Sequence, residues 1–262
     1  MDNRPIGILD SGVGGLTVAS EIKKLMPQEN IVYYGDTGRA PFGGKSRETL
    51  LQYGLEIIEF LLKKDVKLVV VACATLSSNV YQKLENSFDI HMVNVIEPGI
   101  RACADAKPKN LGVIATKMTI ASGMFTRRLK ELSPGTAVYE RACPLFATMT
   151  EEGWANSEAA RIMAGLYLDG WNEKTIDALV LGCTHYPLLI GHIKKILGNV
   201  NIINMAANTA HAARSLLKAH DMENGQKTPP AYDFYVSGDD GNFIEMAKML
   251  LGIKCEAKKA VL

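Results

Sequence analysis

Leu68-Val69-Val70-Val71-Ala72-Cys73-Ala74-Thr75 and Ala178-Leu179-Val180-Leu181-Gly182-Cys183-Thr184-His185 decide the fold. Each is a near-continuous apolar run that ends on a cysteine, with a threonine directly after it or one residue later. Strands that are apolar at every position are buried on both faces, which is the habit of parallel sheets covered by helices. A second pair repeats the idea upstream. Gly7-Ile8-Leu9-Asp10-Ser11 resembles Gly112-Val113-Ile114-Ala115-Thr116, a strand running into a hydroxyl residue at its loop. The offsets, about 105 and 110 residues, keep the order of elements and are too long for a solenoid, whose period is about 20–50 residues. A duplicated domain explains them better.

The rest of the chain fits this frame. Ile6 to Leu9, Ile31 to Tyr34, Leu68 to Ala72, Met92 to Ile96, Leu111 to Ala115, Ala137 to Tyr139, Leu179 to Leu181 and Ile202 to Ile203 read as strands. Helical patterns cover Thr17–Met26, Arg47–Lys63, Ser77–Leu84, Thr119–Leu132, Ser157–Leu168 and Pro187–Ile196. Strand-helix alternation of this kind means α/β with right-handed crossovers. The expected architecture is two similar lobes, each a mostly parallel sheet flanked by helices, with a cleft between them. Residues 1–96 plus 208–262 form the first lobe and residues 97–207 the second. From about Asn208 the tail reads as helix, then a strand over Tyr232–Ser237 and a helix over Asn242–Leu251, completing the first lobe. Asp221–Pro230, polar with Gly and two prolines, is a loop.

Composition narrows the function classes. The 262 residues carry 29 Lys plus Arg against 28 Asp plus Glu, so no basic excess points to nucleic acid. The longest apolar run, Leu68 to Leu76, is about half the roughly 20 residues a membrane span needs. Met1-Asp2-Asn3-Arg4-Pro5 leads straight into a strand without a signal-peptide apolar region, so the cytoplasm is the expected compartment. The five cysteines include no CxxC pair, which speaks against a zinc ribbon or a thioredoxin motif and for free thiols.

Two of those thiols, Cys73 and Cys183, occupy equivalent strand ends. In open α/β sheets the ligand crevice lies at the carboxyl ends of strands, and a helix N-terminus beside a cysteine favours thiolate. If the lobes face each other, so do the thiols. That geometry suits removing a proton from one side of a carbon and returning one on the other. The plainer reading makes both cysteines small buried hydrophobes. Cys103, Cys143 and Cys255 have no partner in the repeat and read as structural or surface cysteines.

The flanking motifs are specific. Asp10-Ser11-Gly12-Val13-Gly14-Gly15-Leu16-Thr17-Val18, Gly35-Asp36-Thr37, Pro41-Phe42-Gly43-Gly44-Lys45-Ser46, Ala72-Cys73-Ala74-Thr75, Ile114-Ala115-Thr116, Ala142-Cys143-Pro144-Leu145-Phe146, Glu151-Glu152-Gly153 and Gly182-Cys183-Thr184-His185-Tyr186-Pro187-Leu188-Leu189 span nearly the whole chain. Together they resemble the glutamate racemases, of the cofactor-independent aspartate/glutamate racemase superfamily. The glycine turn matches neither the dinucleotide nor the P-loop spacing.

The resemblance implies racemisation of a free amino acid without pyridoxal phosphate or metal. The expected partners are a small amino-acid substrate, no nucleic acid and no membrane, with a homodimer as the family's common state. It implies that Cys73 deprotonates D-glutamate and Cys183 L-glutamate, each thiol returning a proton in the reverse direction. Asp10 matches the carboxylate serving Cys73, though an Asx turn or helix cap ahead of the glycine turn also explains it. His185 matches the imidazole assisting Cys183. Glu152 matches a glutamate supporting the same side, with a charge at an exposed helix end as its competitor. Ser11, Thr75, Thr116, Thr119 and Thr184 are the hydroxyl residues expected around the substrate carboxylates, and Pro41, Phe42, Gly43, Gly44 and Ala74 complete the expected substrate site.

Three stretches depart from the family pattern. Ala74 stands where asparagine is usual, Phe42-Gly43-Gly44 where Tyr-Gly-Ser is usual, and Asn204-Met205-Ala206 where an acidic or serine-containing stretch is usual. Each removes polar groups near the expected substrate. Besides glutamate, the sequence therefore leaves open aspartate or a less polar amino acid as substrate, or a binding relative without turnover.

Overall fold

The computed structural model describes residues 1–239 and 241–262. The first run of elements is β1 (Ile6–Asp10), α1 (Leu16–Leu25), β2 (Ile31–Gly35), α2 (Arg47–Leu62), β3 (Leu68–Val71), α3 (Ala74–Asn79), α4 (Tyr81–Ser87), β4 (Met92–Asn94) and α5 (Ile96–Ala106). The second is β5 (Asn110–Ala115), α6 (Lys117–Ala121), α7 (Met124–Leu132), β6 (Ala137–Ala142), α8 (Leu145–Glu151), α9 (Glu158–Leu168), β7 (Ala178–Gly182), α10 (Ile190–Leu197) and β8 (Asn201–Ile203). The tail adds α11 (Met205–Ala219), β9 (Tyr232–Val236), α12 (Gly241–Leu251) and β10 (Ala257–Lys259).

These strands form two parallel sheets, ordered β10-β9-β2-β1-β3-β4 and β6-β5-β7-β8. The duplication seen in the sequence is explicit in that order. In β2-β1-β3-β4 and in β6-β5-β7-β8, the first strand of the unit lies between the second and third. Asp10 ends β1 and Thr116 follows β5, while Cys73 and Cys183 follow β3 and β7. All four thus stand at the carboxyl ends of central strands, where the crevice of an α/β sheet lies. β9 joins the first sheet against β2, with Ile31 opposite Tyr232.

The strands are buried because both faces are covered. Leu68, Val69, Val70 and Val71 have no exposed surface. One apolar cluster runs through both sheets. Ile8 and Val70 of the first, Val113 and Val180 of the second, Ile96 and Ile100 of α5 and Ala210, Ala213 and Leu217 of α11 all belong to it. The opposite faces of the two sheets have clusters of their own. The lobes therefore share a core through α5 and α11 while opening toward each other at their strand ends.

Several boundaries differ from the sequence expectation. The strand expected over Met92–Ile96 stops at Asn94, whose Oδ1 accepts from the N–H groups of Ile96 (3.0 Å) and Glu97 (2.9 Å) and so starts α5. A helix expected to be continuous over Thr119–Leu132 breaks at Gly123, which takes φ +63° between α6 and α7. The one expected over Ser77–Leu84 begins earlier, at Ala74, and is interrupted at Val80. β6 extends past Tyr139 to Ala142, its polar Glu140-Arg141 pair being tolerated on an edge strand.

Candidate active site

Asp10 is fully buried at the end of β1. Its Oδ1 accepts from the Gly12 N–H (3.1 Å), and its Oδ2 accepts from the Thr184 hydroxyl of the second lobe (3.1 Å). Burial pushes its carboxyl up to about 6, against the attraction of His185 and with repulsion from Glu151 adding to the rise. The backbone bond from Gly12 is of Asx-turn type, so the plainer reading of Asp10 is also realised. The bond from Thr184 adds a contact across the cleft that a turn residue does not need.

Cys73 caps α3, and its thiol is pushed up to about 12, first by burial and then by the Asp10 charge. The Leu76 N–H and the Ser11 hydroxyl pull weakly the other way. A thiol in this state rests protonated. Desolvation disfavours its anion, and a neighbouring carboxylate adds repulsion.

Cys183 has a different neighbour. Its Sγ lies 3.5 Å from His185 Nδ1, and His185 Nε2 is hydrogen-bonded to the Glu151 carboxylate. Burial opposes charging of this imidazole, but Cys183 and Glu151 outweigh it and hold His185 well above the usual imidazole range. Glu151 Oε1 also accepts from the Val13 N–H of the first lobe (2.9 Å). Gly14 lets the glycine turn come this close, since a Cβ there would sit 2.6 Å from both His185 Nδ1 and Thr184 Oγ1. The turn is braced from behind by Tyr33, whose Oη donates to Gly12 O (2.7 Å).

The geometry corrects one expected residue. Glu152 is exposed at the C-cap of α8 and shares no hydrogen bond with His185; Glu151 does. Adjacent helical residues point about 100° apart, so only one of two consecutive glutamates can face the cleft. Ala147, buried and four residues before Glu151, carries the signal that chooses between them.

The hydroxyl residues also meet across the cleft. Thr75 Oγ1 and Thr116 Oγ1 are 3.0 Å apart, and Thr116 Oγ1 donates to Thr119 Oγ1 (3.0 Å) while capping α6. Thr75, Thr116, Thr119, Thr184 and Ser11 are all buried. Pro41 precedes a 3-10 turn over Phe42–Gly44. The Phe42 ring packs with Tyr53 at 5.4 Å in the first-lobe core. Gly43 lies against Thr116, where a Cβ would be 2.7 Å from Thr116 Cβ, and Gly44 has open space beside it. Ala74 is buried in the first turn of α3. Cys103 and Cys143 are buried in the core with thiols pushed up to about 12 by desolvation, as suits packing residues. Among the described residues, no group of three or more His, Cys, Asp or Glu is arranged to hold a metal ion, and no helix is long and apolar enough to cross a membrane.

The chain is thus a two-lobed α/β protein with a strand-end thiol in each lobe, one beside a carboxylate and one beside an imidazole. Residues 17–215 match the family described as Asp/Glu/hydantoin racemase, and the chain belongs to that family. It is 43% identical over 253 residues to the glutamate racemase of Geobacter metallireducens, covering 96% of this chain and 94% of that one. A glutamate racemase isoform from Bacillus anthracis superposes with a TM-score of 0.93 at 37% identity, over 100% of this chain and 99% of that one. The glutamate racemase from Francisella tularensis, solved in complex with D-glutamate, gives 0.90 at 34% identity over 99% and 98%.

Proposed function

We propose that this chain interconverts L- and D-glutamate by two-base proton transfer at the α-carbon. The observation that carries the reading is the pair of buried strand-end thiols, one per repeat, each beside its own proton-holding group. In the D-to-L direction the Cys73 sulfur takes the α-proton and the Cys183 side delivers a proton to the opposite face. The reverse direction exchanges the roles, so no net proton or electron is consumed.

The α-proton is weakly acidic, so the base must be desolvated and aligned. Desolvation is also what keeps the resting Cys73 thiol protonated. Substrate binding has to supply the activation. An ammonium group beside Asp10 would hold that carboxylate ionised and offset its repulsion of the forming thiolate. The Thr75–Thr116 pair and the Gly43–Gly44 backbone offer donors for carboxylates, as turns and helix N-termini do. His185, held in place by Glu151, serves as proton partner of Cys183. The product D-glutamate would supply peptidoglycan assembly in the cytoplasm.

The test is racemisation of L- and of D-glutamate followed by circular dichroism without added pyridoxal phosphate, beside a panel containing aspartate and less polar amino acids. Racemisation of glutamate from both sides is the expected result. Turnover of another amino acid alone would move the substrate, and Ala74, Phe42 and Gly44 would be the first places to look. No turnover of any of them by the folded protein would contradict the reading.

A further inference from the structure

The Glu151 carboxylate is the support of His185, and the support of Glu151 comes from a distant part of the chain. α8 ends there, and Thr150 O already accepts from the Gly153 N–H (3.1 Å) just past the helix. Asn242, in the first turn of α12, supplies one side-chain amide to that carbonyl and to the next one. Its Nδ2 donates to Thr150 O (3.1 Å) and to Glu151 O (2.6 Å). Gly153, at φ +74°, turns the chain away beneath it, and a Cβ there would lie 3.4 Å from Asn242 Oδ1. α12 follows β9, the strand paired to β2, so this bond crosses from the first sheet's side to the second's.

We propose that Asn242 is a positioning residue for the Cys183 half of the site. It pins the end of α8 so that the Glu151 carboxylate meets both the Val13 N–H and His185 Nε2, which in turn places Nδ1 against the Cys183 sulfur. Nothing comparable links Asn242 to Cys73 or Asp10 among the described contacts. Its loss therefore slows proton transfer on the Cys183 face of the α-carbon more than on the Cys73 face. The inference rests on the racemase reading given above.

The test uses the full chain with Asn242→Leu and Asn242→Gln, and substrates deuterated at the α-carbon. Because enantiomers are equal in energy, kcat/KM must fall by the same factor in both directions. A loss of about tenfold is expected for Asn242→Leu, as for one or two hydrogen bonds. The primary isotope effects need not move together. The effect measured from L-glutamate, where Cys183 takes the proton, should rise relative to the unsubstituted protein, and that from D-glutamate should fall. Asn242→Gln, which keeps the amide donor, should restore most of both. A kcat/KM loss with isotope effects unchanged, or shifted the opposite way, would overturn this inference while leaving the racemase reading in place. Absence of glutamate racemisation in the unsubstituted protein would overturn both.

Discussion

The two halves of the cleft start from the same strand-end cysteine and diverge one side chain away. Cys73 faces a buried carboxylate that is held by a hydroxyl of the opposite lobe. Cys183 faces an imidazole backed by a carboxylate that accepts from the opposite lobe's backbone. Each half is thus completed by a group from the opposite lobe. Duplication provided the symmetric frame, and the chemistry was made asymmetric within it. Because the reaction has an equilibrium constant of unity, unequal environments must still give equal kcat/KM from either enantiomer. The asymmetry can show only in kcat and KM taken separately, in isotope effects and in exchange.

The largest expected effect comes from removing either thiol. Cys73→Ala and Cys183→Ala should each lower racemisation by about a thousandfold or more, as for loss of an acid–base group. Exchange should then split the two. Cys73→Ala keeps the base for L-glutamate and should still wash solvent deuterium into it, whereas Cys183→Ala should do so with D-glutamate. Proton NMR of the α-position reads both. Exchange of the same enantiomer by both variants would break the comparison.

Gly43→Ala should be nearly as damaging, because its methyl would meet Thr116 and prop the cleft open. Gly44→Ser, next to it, has room and restores the family's hydroxyl, so it should lower KM for glutamate by a few-fold at most, about the value of one hydrogen bond. Steady-state kinetics on the pair separates steric from polar control.

Asp10 and Glu151 sharpen the comparison through pH. Asp10 rests near 6, above the ordinary aspartate value near 3.8, so the folded state binds its proton more tightly than the unfolded chain does. Stability contributed by the protonated form is therefore lost as pH rises from about 4 through about 6. Asp10→Asn should raise stability at pH 8 by about 1–3 kcal/mol and have little effect below pH 4, while abolishing most activity. Urea unfolding at the two pH values checks the sign. On the other half, Cys183 and then Glu151 raise His185, so Glu151→Gln removes part of that rise and any activity limb set by His185 should move to lower pH, with activity down about tenfold. Glu152→Gln should change neither, being exposed.

Most of the frame was legible because buried parallel strands leave uninterrupted apolar runs. The repeat was legible because both copies keep a hydroxyl residue or cysteine at the same strand ends. What escaped the sequence was governed by contacts between distant segments. α5 hid behind a proline at its third position, Pro98, where a helix's first turn tolerates it. The last strand, Ala257–Lys259, carries two lysines and pairs only at an edge. Val13 supplies a backbone N–H, which no side-chain pattern records, and Asn242 acts across a gap of 91 residues. Glu151 was one residue from the expected Glu152, a distinction set by helix rotation alone.

The most direct test of two unlike bases acting on opposite faces is the fate of the α-hydrogen in deuterated water. Initial rates should be taken from each pure enantiomer with the unsubstituted protein. Two bases predict product that carries solvent deuterium from the first turnovers, while the unreacted substrate keeps its protium, in both directions. Product that retains the substrate's own hydrogen, or substrate and product labelled at equal rates from the outset, would mean a single base serving both faces and would contradict the account.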